Sequence, residues 1–126
     1  MENNFILKKC KKCGALVEVL ADCTCDNCGI KCCGEQMQPI LENSVDCAVE
    51  KHKPEYKIVG NYIVVTVNHV MEQEHFIDWV AINSKKLTAK KCFEIGEVPM
   101  AVFPYIKGSK IYAYCNKHGL WSTIVE

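Results

Sequence analysis

The fold is decided by the stretch YKIVGNYIVVTV, residues 56–67. Two runs rich in β-branched and aromatic residues flank the dipeptide Gly60-Asn61, and such a dipeptide suits a tight two-residue turn. The stretch therefore predicts a β-hairpin. Further strand-like runs follow at short intervals, at residues 76–82, 86–93, 100–105, 111–115 and 120–125.

These runs predict the architecture of the larger part of the chain. Together with the hairpin they make about seven strands, separated by Gly and Pro, and no sustained 3.6-residue apolar period interrupts them. This pattern is typical of an all-β protein. We predict an antiparallel β-sandwich of immunoglobulin-like size.

The first part of the chain has a different composition. Seven of the ten cysteines lie between Cys10 and Cys33, in a segment too short to bury a self-sufficient core. A fold below about 40 residues usually needs a metal or another staple. Cysteine density falls around Gln38-Pro39-Ile40. We therefore predict two domains, a metal-stapled domain at 1–38 and the sandwich at 39–126.

Charge and hydropathy exclude several classes of partner. Lysine plus arginine equals aspartate plus glutamate at 15 each, so no basic field favours nucleic acid. No run approaches the roughly 20 apolar residues that span a bilayer, and the first residues do not resemble an export signal. We expect a cytoplasmic protein that binds neither nucleic acid nor membrane, in which cysteines serve as metal ligands.

All four histidines lie in three short segments that also contain Cys115, namely residues 50–54, 69–75 and 115–119. Any one of these histidines alone would be an ordinary surface residue. Four imidazoles and one thiolate exceed the four ligands of structural zinc, and they favour a transition metal over magnesium or calcium. The grouping predicts a five-coordinate redox site, best suited to iron, with one position open.

Two sets of cysteines compete for a metal in the first domain. Cys10-x-x-Cys13 with Cys25-x-x-Cys28 is typical of a rubredoxin-like knuckle or a zinc ribbon. The other set combines Cys10 and Cys13 with Cys32 and Cys33. Because both sets offer four thiolates, and both iron and zinc accept them, spacing alone does not choose.

Five motifs together resemble one known family, the desulfoferrodoxins, which are two-iron superoxide reductases. The resemblance covers nearly the whole chain. Its motifs are Cys10-x-x-Cys13-Gly14, Cys32-Cys33-Gly34-Glu35-x-Met37, Glu50-Lys51-His52-x-Pro54, His69-x-Met71-x-x-x-His75 and Cys115-Asn116-x-His118-Gly119.

The resemblance implies a fold, two metal centres and a reaction. The fold is a desulforedoxin-like domain followed by the sandwich, and the reaction is one-electron reduction of superoxide to hydrogen peroxide without release of dioxygen. The catalytic iron is held by His52, His69, His75 and His118, with Cys115 as axial ligand. A second iron, with zinc as the alternative, is held by Cys10, Cys13, Cys32 and Cys33.

The resemblance also assigns two catalytic residues and the partners. Lys51 attracts the superoxide anion, and Glu50 is the sixth ligand of the resting ferric state. Without the resemblance, these neighbours are equally well explained as a solvated charge pair. The family further implies a homodimer and a small electron-donor protein such as rubredoxin.

Two other function classes stay open, and so does the role of five cysteines. The chain could be a non-catalytic iron protein for electron transfer or metal binding, or a zinc-stabilised binding module. The cluster Cys23, Cys25 and Cys28 departs from the family pattern and suits a second metal, a redox disulfide or free thiols. Cys47 and Cys92 are expected to be core or surface thiols.

Overall fold

The computed structural model describes residues 5–25, 29–44 and 51–126. These residues contain twelve strands and no α-helix, and within them no helix is long and apolar enough to cross a membrane. The chain divides into two compact units, one in Asn4–Leu41 and the other in Glu42–Glu126. The strands are β1 (Ile6–Lys9), β2 (Leu16–Val19), β3 (Lys31–Cys32), β4 (Glu35–Gln36), β5 (Gln38–Pro39), β6 (Glu55–Val59), β7 (Tyr62–Thr66), β8 (Ile77–Asn83), β9 (Thr88–Cys92), β10 (Met100–Pro104), β11 (Lys110–Cys115) and β12 (Gly119–Ile124).

The first unit has short strands and a small core. Strand β1 pairs with β2 and β5, and β3 pairs with β4. Among its described hydrophobic side chains, those of Leu7, Val19 and Met37 are buried together with Cys10. So few buried side chains cannot offset the entropy of ordering this many residues, which is why the unit needs another source of stability.

The second unit is the predicted sandwich, so the all-β fold class is confirmed. One sheet has the order β10-β7-β6, the other has the order β12-β11-β8-β9, and every pairing is antiparallel. The predicted hairpin at residues 56–67 is β6 and β7, with Val59 opposite Tyr62. The core between the sheets includes the side chains of Ile63, Val65, Val80, Ile82, Phe103, Ile111 and Ala113.

One irregularity lies where β11 meets β8. Ala113 pairs with Val80 and Tyr114 with Trp79, but Cys115 then pairs with Ile77, which leaves the intervening Asp78 without an opposite residue. This is a β-bulge, and it lets Ile77 face the core beside Cys115. The end of the sandwich that carries Cys115 is therefore shaped by one extra residue in β8.

The predicted strand at 86–93 begins two residues later than expected. Residues 84–87 form a turn instead, because the Ser84 hydroxyl accepts hydrogen bonds from the backbone N–H groups of Lys86 and Leu87 at 3.2 and 3.0 Å. A serine side chain that satisfies backbone donors in this way favours a turn over a strand.

Candidate metal centres

Four imidazoles and one thiolate come together at one end of the sandwich. His52 precedes β6, His69 and His75 lie between β7 and β8, Cys115 ends β11, and His118 is in the turn before β12. All five were predicted from sequence as ligands of one metal. The loops at a sandwich end meet because their strands pair antiparallel, so ligands distant in sequence become neighbours in space.

The four imidazoles are arranged as a ring. His52 Nε2 lies 2.9 Å from His118 Nδ1, which lies 3.2 Å from His75 Nε2, which lies 3.1 Å from His69 Nε2. The ring closes where the centroids of His69 and His52 are 4.7 Å apart. His52 and His75, on opposite sides, have centroids 6.0 Å apart.

These distances fit a shared cation better than a hydrogen-bond chain. Nitrogens about 2.1 Å from an ion and at right angles to one another are about 3 Å apart, whereas tetrahedral ligands are about 3.4 Å apart. His75 Nε2 is close to two other ring nitrogens, and one lone pair or one proton cannot serve both. A square arrangement around a single ion accounts for both contacts.

The thiolate candidate lies deeper than the imidazoles. Cys115 is fully buried, with its Sγ 3.4 Å from His69 Nε2 and 3.7 Å from His118 Nδ1. The backbone N–H of His118 donates to this sulfur at 3.4 Å. The ligand atoms of His52, His75, Cys115 and His118 lie within 4.8 Å of one another, and His69 joins them through its contacts with His75 and Cys115.

The surroundings of His69 and His75 favour the form that binds a metal. His69 Nδ1 donates to the Val70 carbonyl at 2.5 Å, which leaves its Nε2 lone pair for a metal. Burial lowers the pKa of His69, and burial together with the nearby His118 lowers the pKa of His75. A lowered pKa favours the unprotonated ring, which is the form that binds metals.

One residue that contacts the ligands was not among the predicted site residues. The Trp121 ring stacks on His52 with centroids 5.3 Å apart, and its Nε1–H donates to the His118 carbonyl at 3.1 Å. Trp121 thus contacts two candidate ligands at once. Its position three residues after His118, at the start of the next strand, was the available sequence signal.

The opposite side of the imidazole ring is open. A cavity of about 440 Å³ is lined by Lys51, His52, Asn68, His69, Val70 and His75, and Cys115 is not among its lining residues. Lys51 is exposed at this cavity. Glu50, the other predicted catalytic residue, lies outside the described residues. A small anion can therefore reach the ring from the side opposite the thiol.

The first unit contains a second group of ligands. The sulfurs of Cys10, Cys13, Cys32 and Cys33 lie within 4.8 Å of one another, with Cys13 Sγ 3.5 Å from Cys32 Sγ. Of the two competing sets, the described residues bring together this one. Cys25 is exposed and outside the group, and Cys28 lies outside the described residues.

The four thiols of this group cannot all ionise unaided. Hydrogen bonding from the Cys13 backbone, opposed by some desolvation, lowers the pKa of Cys10 to about 6. The neighbouring sulfurs of Cys13 and Cys10 raise the pKa of Cys32 to about 12. Because like charges resist a second ionisation, a cation is needed to collect four thiolates here.

The remaining cysteines have separate outcomes. Cys23 is disulfide-bonded, so the interpretation of that residue as a free thiol is wrong. Cys92 is an exposed thiol, as expected. Cys47 lies outside the described residues, and its prediction stays a prediction.

Comparison with known proteins decides the family. The family model described as Desulfoferrodoxin matches residues 39–124, which is most of the sandwich. The chain belongs to the desulfoferrodoxin family. Its relatives in the family include the desulfoferrodoxin of Syntrophotalea carbinolica, 40% identical over 98% of both chains, and that of Nitratidesulfovibrio vulgaris, 39% identical over 96% of this chain and 97% of the relative.

Solved structures similar to this desulfoferrodoxin-family chain carry a common name. The superoxide reductase from Treponema pallidum aligns with a TM-score of 0.69 at 26% identity, covering 98% of this chain and 99% of that one. The one-iron superoxide reductase from Giardia intestinalis aligns with a TM-score of 0.52 at 28% identity, covering 59% of this chain and 95% of that one.

Proposed function

We propose that this protein is a superoxide reductase whose catalytic iron is held by His52, His69, His75, Cys115 and His118. The observation that carries the proposal is the asymmetry of the centre, with a buried thiol on one side of the imidazole ring and an open, lysine-lined cavity on the other. A site built only to store a metal or pass electrons has no need of an open side. Similarity to solved superoxide reductases supports the same reaction.

When bound here, ferrous iron would supply the single electron that, with two protons, converts superoxide to hydrogen peroxide. Cys115 sets how readily that electron leaves, since thiolates donate electron density. The N–H of His118 donates to the sulfur and withdraws part of that density. This hydrogen bond reduces electron donation by the Cys115 sulfur. Weaker donation favours release of intact peroxide over cleavage of the oxygen–oxygen bond.

The cavity residues provide the encounter with substrate. Lys51 places a positive charge at an opening that leads to the ring, and a local field of this kind concentrates a small anion. Its ammonium also has donors that can orient a proton-giving water. For Glu50 we propose, on family resemblance, the role of sixth ligand in the resting ferric state.

The tetrathiolate group is proposed to hold the second iron, with zinc as the alternative. Cys13 and Cys33 are exposed, so an electron arriving at that centre needs to cross little protein. We further propose that the donor is a small redox protein such as rubredoxin, and that the protein acts in the cytoplasm. The donor and the compartment rest on the family and on the abundance of thiol ligands.

A homodimer is also proposed, and one surface supports it. The outward side of the sheet β10-β7-β6 carries one apolar row across all three strands, in which Val59 is opposite Tyr62 and Tyr62 is opposite Pro104. In the next row Val102 is opposite Val64, and Lys57 of β6 ends the row. Val59, Tyr62 and Val102 are each more than half exposed. A second copy of the chain that packed on this face would cover these side chains.

The homodimer proposal is tested with Val102→Lys. Burying a lysine at the centre of an interface costs several kcal/mol, so we expect monomers by sedimentation equilibrium. Ile124→Lys is the matched control, because Ile124 is also 58% exposed but lies on β12 of the other sheet. A dimer that survives Val102→Lys would exclude this face as the interface, and a wild-type monomer would contradict the homodimer.

The reaction is tested by its stoichiometry. The anaerobically reduced protein is mixed with a calibrated superoxide pulse, and hydrogen peroxide and dioxygen are measured. We expect one peroxide per superoxide and no dioxygen. Half a peroxide per superoxide, with accompanying dioxygen, would indicate dismutation. The chain would then be better explained as an electron-transfer or metal-binding protein. Colourless protein without reducible metal would indicate the zinc-stabilised binding module.

A further inference from the structure

The backbone around His75 is hydrogen-bonded on every side. Its own N–H and C=O groups pair with Glu72, at 3.1 and 3.0 Å. The two adjoining peptide groups use one side chain, because the Glu74 carbonyl accepts from Asn116 Nδ2 at 3.0 Å and the Phe76 N–H donates to Asn116 Oδ1 at 2.9 Å. A single amide therefore holds the chain immediately before and immediately after His75.

Asn116 is itself placed between two other candidate ligands. It follows Cys115 directly, and His118 comes two residues later. The β11–β8 ladder ends at the pair Cys115 and Ile77, and the Asn116 N–H then donates to the Phe76 carbonyl at 3.2 Å. The side-chain amide, with its acceptor and donors in one plane, continues the ladder as a peptide group would.

We propose that Asn116 is a positioning residue of the five-ligand centre, and that its side chain fixes the loop carrying His75 against the turn carrying Cys115 and His118. The proposal rests on the metal centre and not on the reaction with superoxide. The acting group is the side-chain amide, whereas the backbone N–H of Asn116 donates to Phe76. Without that amide, the side-chain link between the His75 loop and the turn of His118 is lost. The 3.2 Å contact between His75 Nε2 and His118 Nδ1 then loses one of its supports.

A geometric role of this kind affects metal affinity more than folding. The hydrogen bonds from Glu72 and from the Asn116 backbone remain when the side chain is shortened, so the loop stays close to its place. The shortened side chain no longer aligns the imidazole of His75. Loss of a hydrogen-bond partner that aligns a metal ligand typically lowers metal affinity about 10–100-fold. The tetrathiolate group lies in the other unit and is untouched by the change.

The test uses full-length Asn116→Ala with Co(II) as probe. We expect Co(II) to bind the five-ligand centre about 10–100-fold more weakly in competition with a chelator. We also expect an altered thiolate-to-cobalt absorption band, because the ligand geometry relaxes. Co(II) binding at the tetrathiolate group is the internal reference and should keep its wild-type affinity. These readouts need no superoxide, so they stand whether or not the reaction is as proposed.

Asn43→Ala is the matched control. Asn43 makes a similar pair of hydrogen bonds, accepting from the Ser122 N–H at 2.9 Å and donating to its hydroxyl at 3.2 Å, and neither bond involves a candidate ligand. Its φ of 55° also makes alanine costly there. We expect Asn43→Ala to lose at least as much thermal stability as Asn116→Ala, yet to bind Co(II) with unchanged affinity and spectrum.

Asn116→Asp is a second variant in case the alanine variant does not fold. It keeps an acceptor for the Phe76 N–H and loses the donor to Glu74, so we expect affinity below that of the wild type. Wild-type affinity and an unchanged band in a folded Asn116 variant would overturn the proposal. So would an equal loss of affinity in Asn43→Ala, because the effect would then follow stability alone.

Discussion

The two ligand groups of this molecule are built in opposite ways. The four clustered cysteines of the first unit lie within residues 10–33, next to short strands and a small core, and two of the four are exposed. The five ligands of the second unit are spread over residues 52–118 and are brought together by a sandwich with its own core. In the first unit the metal must organise the chain, whereas in the second the chain organises the site.

The groups also differ in charge. Four thiolates attract a cation strongly but repel one another, so the group holds together only with the cation present. Imidazoles in the form that binds metals carry no charge, so four of them and one thiolate repel one another little, and the sandwich holds them without help. The same comparison predicts what each unit loses when it is disturbed.

Metal removal should have the largest effect, and only in the first unit. After anaerobic chelation we expect amide-exchange protection to disappear at Leu7 and Val19, because their unit has too few buried side chains to fold alone. Protection at Ile63 and Ile111 should persist. Persistent protection at Leu7 would show that the first unit does not depend on its metal. Loss of protection at Ile63 would show that the sandwich does.

Replacing the buried thiol should abolish the reaction while keeping the sandwich. In Cys115→Ser we expect peroxide formation from superoxide to fall at least about 100-fold, as when a key electrostatic group is removed from an active site. The thiolate-to-iron absorption band should vanish. Cys92→Ser is the control, since Cys92 is an exposed thiol and its loss should change neither quantity. Retention of the band in Cys115→Ser would exclude the assigned axial ligand.

Removing the cavity lysine should have an intermediate effect that depends on salt. For Lys51→Ala we expect the second-order rate with superoxide to fall about tenfold at low ionic strength, and the difference from wild type to shrink as salt is added. Lys86→Ala, at an exposed turn after β8, is the control for net charge. Equal rates for wild type and Lys51→Ala at low salt would remove the steering role.

The smallest expected effect concerns pH in the metal-free sandwich. Burial lowers the pKa values of His69 and His75, so the unfolded chain binds protons more readily than the folded one. The free energy of unfolding should therefore decrease as pH falls from above 6.5 through the lowered values. Urea titrations at two pH values measure this, and the double variant His69→Gln/His75→Gln should show a flatter dependence. An identical slope in that variant would place the titrating groups elsewhere.

Much of the molecule was predictable because its signals are local or chemically rare. The hairpin at residues 56–67 follows from alternating β-branched residues around a two-residue turn. The five-ligand group follows from the confinement of all four histidines to three short segments. Each of these segments is also one of the family motifs. These inferences needed residue types and spacing, without knowledge of which loops meet.

Other features depend on tertiary contacts that spacing does not encode. Trp121 is buried and was not among the predicted site residues, because its stacking on His52 depends on how two sheets face each other. The side chain of Asn116 spans two loops that are 40 residues apart in sequence. The choice between two sets of cysteines was likewise a matter of folding, because each set offers the same four sulfurs. Of the alternatives left open for Cys23, the structure has the disulfide, which spacing alone did not select.

The bulge in β8 determines how much negative charge would surround an ion at this end of the sandwich. Had β8 continued in regular register past Trp79, Asp78 would sit opposite Cys115 and face inward, and a carboxylate would lie beside the sulfur. The extra residue turns Asp78 away and presents Ile77 instead. A divalent ion with four neutral rings and one thiolate keeps a net charge of about +1, which favours approach of an anion. An added carboxylate would neutralise that charge, so one inserted backbone residue protects the attraction between the centre and a negatively charged substrate.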